Sequence, residues 1–278
     1  MSELSEAQCI FIKFDSSYLF ATDPTSFKVL FTATDEEKNP YGPKADVPKQ
    51  LVSLVNNGVR EIFVICDLNR VVVFTEDHKF IRSFSVLKSA LEIEDDDDSS
   101  ANGKFKPTPE EYDAIALNMN PTSTGGLSGP EIFVGGHRSF VRVYDIYGKF
   151  LRKFRVNDFK GSGYVNRLNL FPYSRELAIS DCFSNEIRIY GFEGDLNRRI
   201  QCDKINCPVD VVCTPNGNYL VANMLANNVL VFGPDGTFLR SFGEDFMKEP
   251  SAMALHKSNL IVACNDAVHI LDSCYWSQ

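Results

Sequence analysis

The stretch PVDVVCTPNGNYLVANMLANNVLVFGPDGTFLRSF, from Pro208 to Phe242, contains four short apolar runs. The turn sequences PNGN, LANN and GPDG separate these runs. Short runs rich in β-branched and aromatic residues, bounded by Gly, Asn and Pro, are typical of antiparallel strands. The Asp-Gly pair in the last turn favours a hairpin, because glycine tolerates the positive φ that tight hairpins require. The stretch therefore predicts one four-stranded antiparallel sheet.

The same unit recurs along the rest of the chain. Its second strand is found as YLFATD, EIFVICD, EIFVGGH, ELAISDC, YLVANM and LIVACN, at residues 18–23, 61–67, 131–137, 176–182, 219–224 and 260–265. The copies follow one another at a period of about 40 residues, with one longer step after the second copy. Six such units predict an all-β fold, a six-bladed β-propeller with four-stranded antiparallel blades. Residues 1–278 are accordingly expected to form a single propeller.

The longer step contains residues 87–111, LKSALEIEDDDDSSANGKFKPTPEE. This segment is acidic, carries Ser and Pro, and lacks strand periodicity. A segment of this composition cannot bury enough apolar surface to offset the entropy lost on ordering. We expect a mobile acidic insertion between the second and third blades.

Two stretches carry a resemblance to a known family. The stretch that starts at Pro208 and the stretch ELAISDCFSNEIRIYGFEGDL, at residues 176–196, resemble NHL repeats. The residue that closes the second strand departs from the Asp of that pattern at His137, Asn223 and Asn265. A single propeller of this type is similar to the C-terminal domain of TRIM-NHL proteins. The resemblance implies a face that binds single-stranded RNA or protein partners, for post-transcriptional regulation or for recruiting substrates to a ubiquitin ligase.

Catalytic chemistry is not expected from this sequence. The chain has four histidines, His78, His137, His256 and His269. They fall at different positions of the repeat, so they are not expected to converge on a zinc ion. Asp210 and Asn169 suit a calcium site, but no set of four such residues repeats across the blades. Because no phosphate-binding loop or nucleophile elbow occurs either, we predict a non-enzymatic binding module without cofactor or metal.

The cysteines indicate a reduced protein. Those that lie in or beside apolar runs, where free cysteine behaves as a small hydrophobe, are Cys9, Cys66, Cys182, Cys213 and Cys264. Cys202 and Cys207 are close in sequence, but their spacing is not that of a zinc knuckle. The chain has no run of about eighteen apolar residues and no basic, apolar leader at its N-terminus. We expect free cysteines in a cytoplasmic protein that does not associate with membranes.

The net charge of −9 is unevenly distributed. Residues 131–204 carry 13 basic and 9 acidic side chains, whereas residues 205–278 carry 3 and 7. In a propeller, the loops between second and third strands and the loops between blades emerge on one face. Single-stranded nucleic acid needs cations for its phosphates and aromatic rings for its bases. The candidate RNA- or partner-binding residues on this face are Arg70, His137, Arg138, Lys160, Tyr164, Arg167, Phe183, Asn185, Lys204 and Lys248.

Other residues are assigned structural roles. The fourth-strand sequences KFIRSF, KFLRKF and TFLRSF are expected to pack their Phe between blades and to point their Arg outward. They lie at residues 79–84, 149–154 and 237–242. Trp276, the only tryptophan, is interpreted as a residue that helps to close the ring.

Two functions remain open for a monomeric propeller of this kind. The first is recognition of single-stranded RNA, U-rich sequences included, on one propeller face. The alternative is a protein-interaction platform, which the overall acidic charge favours because phosphate neutralisation dominates RNA affinity. RNA binding predicts a steep loss of affinity with salt, whereas a protein partner predicts dependence on apolar and aromatic side chains.

Overall fold

The structure is a computed structural model of the chain. It describes residues 10–14, 18–22, 48–66, 70–75, 79–86, 112–119, 129–136, 140–156, 167–171, 174–256 and 258–276. The acidic insertion expected at 87–111 lies outside these residues.

Five antiparallel sheets, named blades A to E, succeed one another along the chain after a two-stranded hairpin. The hairpin contains β1 (Ile10–Phe14) and β2 (Tyr18–Thr22). Blade A contains β3 (Pro48–Asn56), β4 (Val59–Cys66), β5 (Arg70–Thr75) and β6 (Phe80–Ser85). Blade B contains β7 (Tyr112–Asn118), β8 (Glu131–Gly136), β9 (Phe140–Asp145) and β10 (Phe150–Arg155). Blade C contains β11 (Arg167–Phe171), β12 (Glu176–Asp181), β13 (Glu186–Gly191) and β14 (Leu196–Ile200). Blade D contains β15 (Pro208–Cys213), β16 (Tyr219–Asn223), β17 (Asn228–Phe232) and β18 (Phe238–Phe242). Blade E contains β19 (Ala252–His256), β20 (Asn259–Ala263) and β21 (Val268–Leu271).

Helices are short in the described part of the chain. Two single turns of 3-10 helix occur at Met224–Ala226 and Ser273–Tyr275. Among the residues described, no helix has the length and apolar character needed to cross a membrane.

The blades are arranged in a ring. The first strand of each blade contacts the first strand of the next, in the order β3, β7, β11, β15 and β19, and β1 contacts both β19 and β3. A ring of antiparallel four-stranded sheets around a common centre is a β-propeller, so the predicted all-β propeller is confirmed. The prediction of six blades is not confirmed. The described residues form five blades, and the two-stranded β1–β2 hairpin lies between blades E and A.

The second and third strands are buried because neighbouring blades cover both of their faces. In β12, Leu177 and Ile179 pack with residues of blade B, whereas Ala178 packs with residues of blade D. Every residue of β12 is buried. This two-sided burial is why these strands have continuous apolar runs instead of an alternating pattern.

A repeated ion pair links the fourth strand to the second strand inside three blades. The pairs are Arg82–Glu61 in blade A, Arg152–Glu131 in blade B and Arg198–Glu176 in blade C. The three arginines also donate to backbone carbonyls of the next blade, at Ile146, Phe192 and Pro234. The prediction that the arginines of the FIR and FLR sequences point outward is therefore wrong for Arg82 and Arg152. The sequence alone did not show that each glutamate lies within reach across the third strand.

A disulfide joins Cys182 to Cys207, which are 25 residues apart. Cys182 follows β12, and Cys207 precedes β15, so the bond links the end of a second strand to the entry of the next blade. The expectation of free cysteines is wrong at these two positions, because the two segments meet only in the folded ring. Among the described residues, Cys202, Cys213, Cys264 and Cys274 are free cysteines.

Candidate partner-binding face

The most fully described part of the predicted binding face belongs to blades C to E. We call it the upper face. It consists of the turns 182–185 and 224–227, which connect second to third strands, and the blade connections 201–207 and 243–251. Hydrogen bonds and the disulfide hold these turns and connections together, so the upper face is a single structural unit.

Two large apolar side chains are exposed at equivalent positions of the upper face. Phe183 is 74% exposed and Leu225 is 57% exposed. Each is the second residue of the turn after a second strand, in blade C and blade D respectively. Contiguous apolar patches mark interaction sites, whereas singly exposed apolar residues are common on protein surfaces. The pair is a candidate contact because both residues occupy the same position of neighbouring blades. Phe183 was predicted from the sequence, whereas Leu225 was missed, although an apolar residue at the same place in the turn LANN was the available signal.

Buried charges hold the turn that carries Phe183. The Oδ1 atom of Asp181 accepts hydrogen bonds from the backbone N–H groups of Phe183, at 3.0 Å, and Ser184, at 3.1 Å. Arg188 lies beside this carboxylate, with 3.8 Å between Nη2 and Oδ2, and also contacts Glu186. Asp181, Glu186 and Arg188 are all buried. Because a buried carboxylate needs such a cation and such donors, the turn has little freedom to rearrange.

A buried amide holds the turn that carries Leu225. The Oδ1 atom of Asn223 accepts from the backbone N–H of Asn206 at 2.6 Å. Its Nδ2 atom donates to the backbone carbonyl of Lys204 at 2.9 Å and to Oδ1 of Asn228 at 2.8 Å. An amide can accept and donate at once, which a carboxylate cannot. This explains why Asn suits this position, where blade C has Asp181.

A second pair of asparagines ties each turn to the following blade. The side-chain oxygen of Asn185 accepts from the backbone N–H of Cys207 at 2.7 Å, and that of Asn227 accepts from Glu249 at 2.8 Å. Both asparagines have positive φ, 51° and 57°. Asn is among the few residues that adopt this conformation readily. The contact repeats from blade C to blade D, so both turns are attached to the connection that follows them.

The structure places six of the ten candidate residues. Phe183, Asn185, Lys204 and Lys248 belong to the upper face and are exposed, while Arg70 and Arg167 begin β5 and β11 in blades A and C. The ammonium group of Lys204 lies 5.4 Å from the centre of the Phe238 ring. The charge of Arg167 acts on Asp210. The candidates that lie outside the described residues are His137, Arg138, Lys160 and Tyr164.

The two residues considered for a calcium site join the inner strands instead. Asp210 is buried and accepts hydrogen bonds from Nδ2 of Asn169 at 2.7 Å and from the backbone N–H of Met253 at 2.7 Å. These bonds connect β15 to β11 and β19. Burial raises the pKa of Asp210, against the opposing effects of Arg167 and the hydrogen-bond donors. In the described residues, no group of three or more His, Cys, Asp or Glu side chains is placed to hold a metal ion.

Several basic residues of the region 131–204 are used inside the fold. Arg142 and Arg188 are fully buried, and Arg152 and Arg198 form the ion pairs described above. Their charges are compensated or hidden within and between the blades. The excess of basic residues in this region therefore contributes less to the surface than the sequence suggested.

Comparisons with known proteins give the fold and no closer relationship. Neither the known protein families nor the curated proteins contain a match to the chain. A protein of unknown function from Bacteroides caccae superposes with a TM-score of 0.61 at 12% identity, over 98% of this chain and 92% of that one. The WD40 β-propeller domain of Doa1 gives a TM-score of 0.56 at 11% identity, over 83% and 67%. Sqt1 of Saccharomyces cerevisiae gives 0.56 at 10% identity, over 92% and 66%.

These similarities, with the ring of antiparallel sheets, make the chain a β-propeller. At such low identity the solved structures support the fold alone. The NHL type and the similarity to TRIM-NHL proteins stay predictions.

Proposed function

We propose that the chain is a non-enzymatic binding module that recruits a partner protein through its upper face. The observation that carries the proposal is the pair Phe183 and Leu225, exposed at equivalent positions of neighbouring blades. Buried hydrogen bonds fix both turns, so a partner would not have to order them. Binding to these turns therefore avoids the entropy cost of ordering them.

The charge of the upper face supports a protein partner over RNA. Its exposed acidic residues outnumber its lysines, and phosphates would be repelled by them. RNA recognition for post-transcriptional regulation is the second candidate, supported by the NHL resemblance and by the exposed ring of Phe183, since aromatic rings stack on bases. A TRIM-NHL-like role in recruiting ubiquitin-ligase substrates is one form of the protein-binding proposal.

One contact supports the predicted sixth blade, whereas no observation supports the predicted cytoplasmic location. The β1–β2 hairpin contacts β19 and β20 of blade E, which supports a sixth blade at that place. The predicted cytoplasmic location has no support from the structure, because disulfides such as Cys182–Cys207 are rare in reducing compartments.

The proposed function is tested with displayed random peptides selected on the immobilised chain. We expect Phe183→Ala and Leu225→Ala to reduce the affinity of the selected peptides about tenfold or more each, because each removes an apolar contact. Leu239→Ala is the matched control. Leu239 is 50% exposed in the same blade as Leu225, but it lies on the outer strand β18.

The same variants are measured by fluorescence polarisation with labelled oligo-U, oligo-A, oligo-C and oligo-G RNA at two salt concentrations. Peptide binding that depends on Phe183 and Leu225, with flat RNA traces, supports the protein platform. Salt-sensitive RNA binding without peptide selection would replace the proposal with the RNA function. Equal effects of Leu225→Ala and Leu239→Ala would remove the upper face as the site.

A further inference from the structure

The upper face and the adjoining turn between β20 and β21 carry a group of exposed carboxylates. They belong to the connections on both sides of blade D and to the turn between β20 and β21: Asp203, Glu244, Asp245, Glu249 and Asp266. The lysines on the same connections are Lys204 and Lys248. Five carboxylates stand against two ammonium groups, so this sector of the face is acidic.

Two of these carboxylates are held beside the turn of Leu225. The Oε1 atom of Glu244 accepts from Nδ2 of Asn228 at 3.0 Å, one residue after the turn. The backbone N–H of Glu249 donates to Asn227 within the turn, and its Oε2 atom accepts from Nδ2 of Asn265 at 3.1 Å. The donors are neutral amides. They orient the carboxylates without neutralising them, so the negative charge is left for a partner.

The pKa of Glu244 agrees with this arrangement. Although partial burial tends to raise the pKa, hydrogen bonds from Ser241 and Asn228 hold it below its ordinary value. Glu244 is therefore ionised throughout the neutral range. Within the described residues, none of the five carboxylates forms an ion pair.

An exposed aromatic ring lies on the same connection. Phe246 is two residues after Glu244 and next to Asp245, and its ring packs edge-on against His269, with 5.4 Å between the ring centres. An exposed ring on a connection that carries several carboxylates suits the side chain of Lys or Arg, because a ring face and carboxylates both attract a cation. This arrangement identifies the charge that a bound segment should carry.

We propose that the upper face binds a cationic segment of a partner protein, with an apolar side chain at Phe183 and Leu225 and Lys or Arg side chains over Phe246 and its neighbouring carboxylates. This inference rests on the proposed function and names the chemistry of its partner. It is specific to a protein segment, since the same carboxylates repel phosphates. The acidic connection comes directly after blade D, so the apolar and charged contacts lie side by side along the ring.

The inference is tested with the same displayed peptides and with one selected peptide made synthetically and labelled. We expect selection on the wild-type chain to enrich Lys and Arg beside apolar residues. The double variant Glu244→Lys/Asp245→Lys should weaken binding of the labelled peptide about tenfold, because a pair of attractions becomes a pair of repulsions. Raising the salt concentration should weaken binding to the wild type more than to this variant.

Asp195→Lys is the matched control, because Asp195 is an exposed carboxylate in the hairpin between β13 and β14, away from the upper face. We expect it to leave the affinity unchanged. If Phe183→Ala and Leu225→Ala weaken binding while the charge reversal does not, the cationic partner is refuted and the proposed function stands. If none of these variants weakens binding, both proposals fail.

Discussion

Asp181 and Asn223 occupy the same position in neighbouring blades, at the end of the second strand. In blade C, the Asp181 carboxylate is compensated by Arg188, which projects from the third strand. In blade D, Leu230 stands at the position of Arg188, so a carboxylate at 223 would have no cation. The residue types at these linked positions therefore change together, and each combination satisfies its own buried turn.

This difference gives a prediction for Asn223→Asp. The substitution removes the donor to the Lys204 carbonyl and buries a negative charge without a partner. We expect a loss of about 2–4 kcal/mol in the free energy of unfolding, measured by urea denaturation and circular dichroism. Asn216→Asp, in an exposed turn of the same blade, should change the free energy of unfolding by less than about 0.5 kcal/mol. Equal effects at the two positions would contradict the assigned role of Asn223.

The ion pair between the fourth and second strands is the repeated element that stabilises blades A, B and C. Blade D has Arg240 in the same register as Arg152, each opposite a valine of the third strand. At the position of the glutamate it has Asn218 instead, immediately before β16. In the described residues, the Nε and Nη2 atoms of Arg240 are buried without a hydrogen-bond partner. Blade D thus contains the arginine of the element without its carboxylate.

Asn218→Glu should supply the missing partner. We expect the free energy of unfolding to rise by about 0.5–1 kcal/mol, the usual range for a partly exposed ion pair. The gain should disappear in an Arg240→Met background, which a double-mutant cycle would measure. Asn216→Glu, also in the turn before β16, is the control for added charge. A gain that persists without Arg240 would show that the pair does not form.

At the scale of the whole molecule, blade E differs from the other blades in how its third strand is covered. Ile270 is 51% exposed and Val268 is also exposed. The equivalent third-strand residues of blades A to D are fully buried against the next blade: Val71, Val73, Val141, Val143, Ile187, Ile189, Val229 and Val231. The β1–β2 hairpin is the neighbour of blade E in the ring. Blade E therefore presents two apolar side chains at positions that the next blade covers in blades A to D.

Ile270→Lys tests whether this side of blade E is covered. If a sixth blade packs on it, as we expect, the substitution buries a charge and lowers the free energy of unfolding by about 3 kcal/mol or more. Val55→Lys is the control, since Val55 has a similar exposed fraction of 44% at the end of β3. It should cost less than about 0.5 kcal/mol. If Ile270→Lys is equally mild, the ring ends at five blades.

The sequence was sufficient for the features that depend on local patterns. The second strands predicted at 61–67, 131–137, 176–182 and 219–224 agree with β4, β8, β12 and β16 to within two residues. A strand covered on both faces is apolar at most of its positions, and a hairpin needs residues that tolerate its turn, so composition and order along the chain specify both. Their repetition then specifies the propeller.

The tertiary structure alone decided the contacts between distant segments. These contacts are the disulfide of Cys182 with Cys207, the pairing of three fourth-strand arginines with glutamates, and the hydrogen bonds of Glu244 and Glu249 with Asn228 and Asn227. They depend on strand twist and on how one blade sits against the next. Side chains from different strands or blades meet through these rotations and not through their spacing in sequence. For the same reason, the basic excess of residues 131–204 predicted a cationic surface, whereas the fold places several of those arginines inside. The chain order thus determined which units form, and the packing of the units determined which charges and apolar side chains reach the surface.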